Sequence, residues 1–503
     1  MQLLNTPIRS LFLAQNKRIT TLREKQCETQ ERHFRRLLQH GGQTLFGQEH
    51  GLTADMTVEQ FRQALPVQDY TTLTPYIERV MHGEPNVLWD SPIHWMAKSS
   101  GTTNAKSKYI PVSRASLRQN NYRAAYDELT VYCHLFPSTK LFAGKSVALG
   151  GSLHSIDNNA NIQCGDVSAI LMANMPALGD FMKAPSRDIL LMDDWNRKLE
   201  LIAANTYREN VTSISGVPSW MLLVLKRVME LSGKEKITEV WPNLEVYFHG
   251  GVAFAPYREQ FSQLIPKEKF FYMNTYNASE GFFGLQDRKE SDDLLLLADH
   301  GVFYEFVPID EVGTPDDSRA LSLHEVQLHQ PYALVITTPA GLWRYKIGDT
   351  IEFTSLKPYR FKITGRTSHY INVFGEELIV DNADKAIQEA CRATHTILTD
   401  YTAAPVYLDS QNQACHEWAI EFSTEPADLE LFTNILDQTL KQLNSDYEAK
   451  RTNDLILKRP QIHILPQGTF LKWLASHNKL GGQHKVPRLQ NDRKLMDEIL
   501  TFI

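Results

Sequence analysis

The sequence lacks the features that place a chain in a membrane or in an oxidising compartment. No stretch approaches the roughly 20 consecutive apolar residues that a membrane-spanning helix needs. The N-terminal stretch MQLLNTPIRSLFLAQNKR has no apolar core followed by small residues. The 5 cysteines stand far apart without a Cys-x-x-Cys pair, which indicates reduced thiols and offers no metal framework. We therefore expect a cytoplasmic protein with no secretory signal and no membrane segment.

An excess of positive charge is also lacking. The chain carries 52 Lys and Arg against 59 Asp and Glu, a formal net charge of -7. Nucleic acids and anionic membranes bind basic surfaces, so we expect neither as a partner. Hydrophobic residues at 42% and charged residues at 22% are typical of a globular protein. A length of 503 residues favours a large domain accompanied by a smaller one.

The Gly-x-x-x-x-Gly-Lys-Ser/Thr spacing of the common nucleotide-triphosphate loop is absent, but another phosphate-type loop is present. Residues 95–112 read WMAKSSGTTNAKSKYIPV, in which two short β-like runs flank a turn rich in hydroxyl groups. A glycine lets backbone N–H groups approach an anion, hydroxyl groups donate further hydrogen bonds, and lysines add charge. A plain solvated loop is the alternative. The candidate phosphate-binding residues are Ser99, Ser100, Gly101, Thr102 and Thr103.

The middle of the chain alternates strand and helix patterns. Apolar runs at Val211–Ile214, Leu244–Phe248 and Phe270–Asn274 are separated by helical stretches. One of these helices, Trp220–Leu231, follows Pro218 at its first turn. Such alternation predicts an α/β fold, a sheet with helical cover whose ligand loops lie at the carboxyl ends of the strands.

The texture of the sequence changes twice in its second half. Between 293 and 365, short β-rich runs separated by turns, among them Leu321–Leu328, predict an antiparallel sheet or small barrel within the same large domain. Beyond Gly365-Arg366, mixed helix and strand patterns predict a small α+β unit. We therefore expect two domains, 1–365 and 366–503.

Residues 275–281, TYNASEG, stand at the end of a predicted strand. The aromatic ring of Tyr276 can stack on a purine, and the carboxylate of Glu280 can hold a magnesium ion that bridges phosphates. The alternative is an ordinary strand-to-turn corner with a core tyrosine and an exposed glutamate.

Two later stretches also contain candidate site residues. In 341–349, GLWRYKIGD, the carboxylate of Asp349 follows a glycine and suits a ribose diol, although a simple Gly-Asp turn is the alternative. In 481–488, GGQHKVPR, Lys485 lies on a loop softened by glycines and could reach a reacting phosphate. The alternative for this second stretch is a solvated basic turn.

The order SSGTT, TYNASEG, LWRYKIGD and HKVPR resembles the GH3 branch of the acyl-adenylate-forming, firefly luciferase-like enzymes. This branch contains the plant auxin- and jasmonate-conjugating acyl amido synthetases and their bacterial relatives. The resemblance covers nearly the whole chain, and its most specific piece is VQLHQPYALVITTPAGLWRYKIGD at 326–349. It implies a large N-terminal domain with sheets and a β-barrel, and a small C-terminal lid domain that rotates.

The resemblance also implies a reaction and its participants. ATP and a small carboxylic acid first give an acyl-AMP and pyrophosphate, and an amine, usually an amino acid, then displaces AMP to form an amide. The cofactors implied are ATP and Mg²⁺. The catalytic residues implied are Glu280, which lies beside the metal, and Lys485, which comes from the lid. The residues implied in nucleotide binding are Ser99 to Thr103 for the phosphates, Tyr276 with Gly250 and Gly251 around the adenine, Ser279, Asp349 at the ribose, and Arg366 near the hinge.

Two other readings stay open from the sequence. An adenylate-forming ligase could pass the acyl group to coenzyme A instead of an amine. A binding protein could keep the nucleotide pocket without turnover, although the retained charges of Glu280, Asp349 and Lys485 count against it.

The acyl pocket is expected from the helices after Ser113 and from residues 150–175. The resemblance assigns no particular acid, amine or oligomeric state.

Overall fold

The chain divides into two compact units in its computed structural model. The first unit comprises Met1–Gly251 and Ile265–Lys362, and the second comprises Val252–Leu264 and Ile363–Ile503. The structure describes residues 1–99, 108–156, 159–251, 254, 257–268, 270–312, 319–366, 370–371, 376, 378–407, 414–451, 457–477, 479–480, 485–490 and 492–503. The predicted phosphate-binding residues Ser100, Gly101, Thr102 and Thr103 lie outside the described residues.

Several helices of the first unit bury one apolar face. In the third helix this face contains Phe34, Leu37 and Leu38, as their spacing predicts. The predicted helix after Pro218 is present, with the proline in its first turn and Gly233 ending it. The helices are α1 Gln2–Leu13, α2 Asn16–Glu24, α3 Gln26–Gly41, α4 Leu45–Glu49, α5 Val58–Ala64, α6 Tyr70–Met81, α7 Arg114–Ser116, α8 Tyr122–Leu135, α9 Val167–Ala173, α10 Ala177–Met182, α11 Arg187–Leu190, α12 Trp195–Thr206, α13 Pro218–Ser232 and α14 Ile237–Val240.

The strands form a four-stranded sheet, ordered β2-β1-β5-β4, and an eleven-stranded sheet, ordered β12-β13-β14-β15-β11-β10-β9-β8-β7-β3-β6. They are β1 Ile93–Ser99, β2 Lys108–Ser113, β3 Lys145–Ala148, β4 Leu153–Ile156, β5 Asn159–Gly165, β6 Lys183–Ala184, β7 Val211–Gly216, β8 Val246–Gly250, β9 Phe271–Ala278, β10 Gly281–Gln286, β11 Leu294–Leu296, β12 Phe303–Pro308, β13 Pro331–Thr337, β14 Tyr345–Leu356 and β15 Tyr359–Arg366.

The large sheet has a parallel part and an antiparallel part. Strands β6, β3, β7, β8 and β9 pair in parallel, so their carboxyl ends meet at one edge of the sheet. From β9 onward, pairing with β10, β11 and β15 is antiparallel, as is pairing among β12, β13 and β14. The predicted sheet with helical cover and the antiparallel run between 293 and 365 are thereby confirmed as parts of one sheet.

The prediction of a strand over Leu321–Leu328 is wrong. Leu321 makes one isolated bridge to Phe306 and Leu328 makes one to Phe353, and a turn separates them. The carboxylate of Glu325 accepts a hydrogen bond of 2.6 Å from the backbone N–H of Ser322, which stabilises that turn. The apolar residues in this stretch therefore fill the core from a turn instead of from a strand.

The second unit is an α+β structure with its own apolar core. A three-stranded sheet, β18-β19-β20, joins an antiparallel pair to a parallel pair, and β16 pairs with β17. Ile387, Tyr401, Trp418 and Phe432 are among its core residues. The elements are α15 Arg258–Leu264, β16 Tyr370–Ile371, β17 Leu378–Ile379, α16 Val380–Thr394, β18 Ile397–Tyr407, β19 Ala414–Thr424, α17 Leu429–Leu443, α18 Ser445–Arg451, β20 Gln461–Leu465, α19 Thr469–Ser476 and α20 Lys494–Leu500.

The α/β fold class predicted from the sequence is confirmed. Large sheets with helical cover fill the first unit, and a smaller α+β assembly forms most of the second. Among the helices that the structure describes, none is long and apolar enough to cross a bilayer.

Candidate active site

The carboxyl ends of β8 and β9 bring two predicted site elements together. Gly250 is the last residue of β8 and pairs with Thr275 of β9, the residue before Tyr276. A Cβ atom at Gly250 would lie 2.4 Å from the carbonyl oxygen of Thr275, so glycine is required for this close approach. The predicted adenine-flanking residues, the Gly250-Gly251 turn and Tyr276, therefore stand side by side at one sheet edge.

Tyr276 and Asp349 are in direct contact. The phenolic O–H of Tyr276 donates a hydrogen bond of 2.5 Å to Oδ2 of Asp349, although the two residues are 73 positions apart. The Tyr276 ring is 5% exposed and packs edge-on against Phe283, with ring centroids 5.2 Å apart. The structure thus joins the predicted adenine residue to the predicted ribose residue.

Asp349 lies in a β-bulge and not in the Gly-Asp turn that the sequence left open. Ala333 of β13 pairs with Thr350, and Val335 pairs with Lys346, so one residue of β13 faces three of β14. Gly348 adopts φ +94°, a left-handed conformation that side-chain-bearing residues disfavour. Bulges bend a strand and redirect its side chains, and they are frequent beside active sites. This bulge directs Asp349 toward Tyr276 instead of into a regular ladder.

The residues before the bulge are structural anchors. Arg344 is fully buried, and its guanidinium makes two hydrogen bonds of 3.0 and 3.1 Å to the carboxylate of Glu305. The same guanidinium donates a bond of 2.6 Å to the carbonyl of Leu65. The indole N–H of Trp343 donates to the carbonyl of Leu88 at 3.1 Å. The LWRY part of the motif therefore anchors the chain in the core directly before the bulge.

Glu280 and Ser279 form the turn between β9 and β10. This turn is supported by Asn120, a residue that the sequence analysis missed. Its side-chain carbonyl accepts the backbone N–H of Phe282 at 2.7 Å, and its amide donates to the carbonyl of Phe282 at 3.0 Å. The amide also donates to the carbonyl of His300 at 3.2 Å. Asn120 lies in the π-helical turn Leu117–Asn121 ahead of α8, and such turns are frequent at functional sites.

A buried lysine, also missed from the sequence, holds the loop that follows β3. The ammonium group of Lys198 donates hydrogen bonds of 2.9 and 3.1 Å to the carbonyls of Gly150 and Gly151. Burial lowers the pKa of Lys198 to about 8, although the carboxylate of Asp166 opposes this shift. Burial raises the pKa of Asp166, and the positive charges of Lys198 and Lys98 oppose this rise. Gly150, Gly151 and Asp166 lie within residues 150–175, the segment expected to help shape the acyl pocket, and Lys198 contacts that segment from α12.

The remaining predicted residues occupy other elements. Ser99 is the last residue of β1 and pairs with Lys108 of β2, so it opens the phosphate-type loop. Arg366 ends β15, and Lys485 belongs to the second unit, where its side chain is exposed. Within the first unit, the site residues that the structure brings together are Gly250, Tyr276 and Asp349.

The chemistry of these groups fits a nucleotide. A carboxylate next to a phenolic O–H can accept hydrogen bonds from the two hydroxyls of a ribose. In the described part of the chain, no three His, Cys, Asp or Glu side chains cluster to hold a metal ion. Magnesium that binds with phosphates needs one or two protein carboxylates, a requirement that Glu280 can meet.

Comparison with known proteins gives consistent relatives. The indole-3-acetic acid-amido synthetase GH3.3 of Arabidopsis thaliana is 23% identical, over 93% of this chain and 90% of that protein. The solved structure of the AtGH3.15 acyl acid amido synthetase in complex with 2,4-DB superposes with a TM-score of 0.79 at 17% identity. That superposition covers 97% of this chain and 95% of the other.

A more distant structure shows the wider fold. A 2-hydroxyisobutyryl-CoA ligase, in the postadenylation state with 2-HIB-AMP, superposes with a TM-score of 0.55 at 14% identity. The superposition covers 97% of this chain and 92% of the ligase, so the fold is that of the adenylate-forming enzymes.

Family models match most of the sequence. The GH3 family N-terminal domain matches residues 15–270, the central domain matches 295–366 and the C-terminal domain matches 381–494. The resemblance drawn from the four motifs is thereby confirmed, and the chain belongs to the GH3 family.

Proposed function

We propose that this protein is an ATP-dependent acyl acid amido synthetase. It adenylates a carboxylic acid, releases pyrophosphate, and transfers the acyl group from acyl-AMP to an amine, which we take to be an amino acid. The observation that carries the proposal is the hydrogen bond between Tyr276 and Asp349 at the bulge, because it places an aromatic ring beside a carboxylate, a pair that suits a nucleoside. Membership of the GH3 family supports it, since relatives in that family are named indole-3-acetic acid-amido synthetases.

Each candidate residue has a role in this proposal. Tyr276 and the Gly250-Gly251 turn flank the adenine, Ser279 binds at the same edge, and Asp349 accepts the ribose hydroxyls. Magnesium bound near Glu280 would neutralise phosphate charge. The remaining candidate residues are proposed to bind the phosphates of ATP; they are Ser99, Ser100, Gly101, Thr102, Thr103, Arg366 and Lys485.

The physical problem in the first step is the approach of two anions. The carboxylate of the acid must attack the α-phosphorus of ATP, which is surrounded by negative oxygens. Hydrogen-bond donors and cations that are already oriented stabilise the charge that develops in the transition state. The hydroxyl groups of the loop that Ser99 opens and the ammonium group of Lys485 are the donors we assign to this task.

The second step needs pyrophosphate to leave and an amine to enter. We propose that residues 366–503 act as a lid domain on a body formed by 1–365, as the family resemblance implies. A lid that turns between the two half-reactions would remove Lys485 from the phosphate and admit the amine. All 5 cysteines are free thiols, which supports a cytoplasmic location where ATP is supplied.

The experiment that tests the proposal is carboxylate-dependent exchange of labelled pyrophosphate into ATP, measured across a panel of acids with Mg²⁺ present. We expect exchange with at least one acid. Exchange with none of a broad panel, by a folded protein that binds ATP, would favour the non-catalytic binding protein.

Product analysis then identifies the acceptor. With the best acid and ATP, mass spectrometry of incubations supplied with amino acids or with coenzyme A separates an amide from a thioester. We expect the amide. A thioester as the main product would instead indicate an acyl-CoA ligase activity. The 2-hydroxyisobutyryl-CoA ligase, which has that activity, shares its fold with this chain.

A further inference from the structure

Arg488 lies three residues after Lys485, and its side chain is largely buried. The proposed reaction assigns no role to this arginine. The side chain of Arg488 is 11% exposed. Burying a guanidinium away from water costs free energy unless it is paired and hydrogen-bonded. The partners that a buried guanidinium needs also hold the backbone at Arg488 in place, three residues from the proposed catalytic Lys485.

The contacts of Arg488 are numerous and come from separate elements of the second unit. Its guanidinium forms an ion pair with Asp400 of β18 and donates to the backbone carbonyl of Tyr401 at 3.2 Å. It also donates to the phenolic oxygen of Tyr257 at 3.1 Å. The guanidinium carbon lies 4.4 Å from the centre of the Tyr401 ring, a stacking distance that a planar cation favours.

The charge of Arg488 is balanced by more than one acid. Asp384 lies 4.0 Å from its Nε and accepts a hydrogen bond of 2.7 Å from the Tyr401 hydroxyl. Burial lowers the pKa of Arg488, but Asp400, Tyr257 and other neighbours outweigh that effect, and the pKa is raised overall. The guanidinium therefore keeps its charge in the folded protein.

The backbone around Arg488 is held as firmly as its side chain. The carbonyl of Arg488 accepts the N–H of Ala403 at 2.8 Å, and the N–H of Gln490 donates to the carbonyl of Ala403 at 3.0 Å. The hydroxyl of Thr402 donates to the carbonyl of Pro487 at 2.7 Å. Leu489 thus makes an isolated parallel bridge to Ala403 of β18, and hydrogen bonds on either side of it hold the segment from Pro487 to Gln490.

Lys485 is placed at the exposed start of this anchored segment. Val486 is 5% exposed and Leu489 is 0% exposed, whereas the side chain of Lys485 faces solvent. With Val486 and Pro487 packed and Arg488 fixed, the position from which Lys485 extends is set by contacts that do not involve Lys485 itself.

We propose that Arg488 is a positioning residue, which fixes the segment on β18 so that Lys485 extends from a defined point. This inference rests on the proposed function, in which Lys485 acts at the phosphate. Lysine cannot replace Arg488, because a single ammonium group cannot stack on Tyr401 and hydrogen-bond to three partners in one plane.

The test is a double-mutant cycle on the full-length protein, with the single-turnover rate of acid adenylation at saturating ATP as its readout. We expect Arg488→Lys to lower that rate about 10- to 100-fold, as the displacement of a catalytic group by an ångström does. In a Lys485→Ala background, Arg488→Lys should lower it less than twofold further. Arg493→Lys is the matched control, because Arg493 is also paired with carboxylates in this unit, and it should leave the rate unchanged.

A second readout does not depend on turnover. Amine-specific labelling followed by mass spectrometry should show an altered labelling rate for Lys485 in Arg488→Lys, with Lys479 unchanged as the internal reference. If Arg488→Lys does not fold, Tyr257→Phe removes one partner of the guanidinium and should cause a smaller change in the same direction.

The outcomes separate the two proposals. Additive effects of Arg488→Lys and Lys485→Ala, or labelling of Lys485 at the wild-type rate, would overturn the positioning role of Arg488. Full adenylation by Lys485→Ala would instead overturn the role assigned to Lys485 in the proposed function.

Discussion

At the scale of single residues, the proposed nucleotide chemistry depends most on Asp349. Its carboxylate is held by the hydroxyl of Tyr276 and directed by the bulge at Gly348. A carboxylate prepared in this way can bind a ribose without first rearranging, which favours affinity because less side-chain freedom is lost on binding.

Replacing Asp349 by Ala is expected to weaken pyrophosphate exchange about 10- to 100-fold, since a hydrogen bond to a charged group contributes about 1.5–3 kcal/mol. Tyr276→Phe removes the bond that orients Asp349 and should raise the KM for ATP by a smaller factor. Steady-state exchange at varied ATP measures both effects. Tyr272→Phe, on the same strand, serves as the control and should behave as the wild type. Wild-type exchange by a folded Asp349→Ala protein would refute the assignment.

Lys198 makes the stability of the protein depend on pH in alkaline solution. Its pKa is about 8 in the folded protein, whereas an unfolded lysine titrates near about 10.4. Between these values the unfolded chain binds more protons, so the free energy of unfolding rises with pH. Below about pH 8 the buried charge imposes its full cost, of order 3 kcal/mol for a shift of this size.

We expect the free energy of unfolding of Lys198→Met to lack this rise at alkaline pH. Chemical denaturation from pH 7 to 10.5 should show the wild type gaining stability relative to Lys198→Met as the pH rises. Lys226→Met is the matched control, because Lys226 is exposed on α13, and its curve should run parallel to the wild type. A constant difference between wild type and Lys198→Met across this range would contradict the expectation.

At the scale of elements, the connection from the π-helical turn to β10 supports the loop that contains Glu280. Asn120 makes its three hydrogen bonds to backbone groups more than 160 positions away in sequence, at Phe282 and His300. Helix and sheet are therefore joined directly beneath the proposed metal-binding turn.

Asn120→Ala leaves these buried backbone groups without their partner, and we expect the free energy of unfolding to fall by about 2–4 kcal/mol. The pyrophosphate exchange rate should also need a higher Mg²⁺ concentration, because the turn at Glu280 is no longer held. Denaturation and a Mg²⁺ titration of exchange measure the two effects separately. Asn205→Ala should change neither, since the Asn205 amide bonds to Leu201 in its own helix. An unchanged Mg²⁺ requirement in a destabilised Asn120→Ala protein would limit Asn120 to a structural role.

Local patterns explain which elements were predictable. Helix α13 could be predicted because Pro218 and Gly233 mark its ends within the sequence itself. The bulge at Gly348 could not, because it arises from the register between β13 and β14. The strand predicted over Leu321–Leu328 is a turn instead, because apolar residues fill a core equally well from a turn.

The same reasoning applies to site residues. The sequence alone could identify candidate residues that lie in short motifs, because the residue types of those motifs indicate nucleotide chemistry. These candidates are Tyr276, Glu280, Asp349 and Lys485. Lys198 and Asn120 were missed because their partners are backbone groups brought near only by folding.

At the scale of the whole molecule, the second unit includes a segment from the middle of the sequence. Val252–Leu264 belongs with residues 363–503, and no local composition marks that association. Tyr257 accepts a hydrogen bond from Arg488, and the amide of Gln260 donates to the carbonyl of Leu398. These hydrogen bonds join residues that the sequence separates by more than 130 positions.

We expect a fragment of residues 363–503 to fold less stably than the same fragment with residues 252–264 attached through a flexible Gly/Ser linker. Without those residues the buried Arg488 loses Tyr257, and a buried polar group left unpaired costs about 1–3 kcal/mol. Urea denaturation followed by near-UV circular dichroism measures the difference. A linked fragment carrying Tyr257→Phe and Gln260→Ala is the control and should lose most of the gain. Equal stability of the two fragments would show that 252–264 contributes nothing.

The path of the chain between the units limits how such a protein can be recombined. It leaves the first unit after Gly251, re-enters at Ile265 and leaves again after Lys362. A single genetic crossover near 363 between two homologous genes would join one parent's Tyr257 to the other parent's Arg488. Such a hybrid would keep this hydrogen bond only where the two parents agree at both positions.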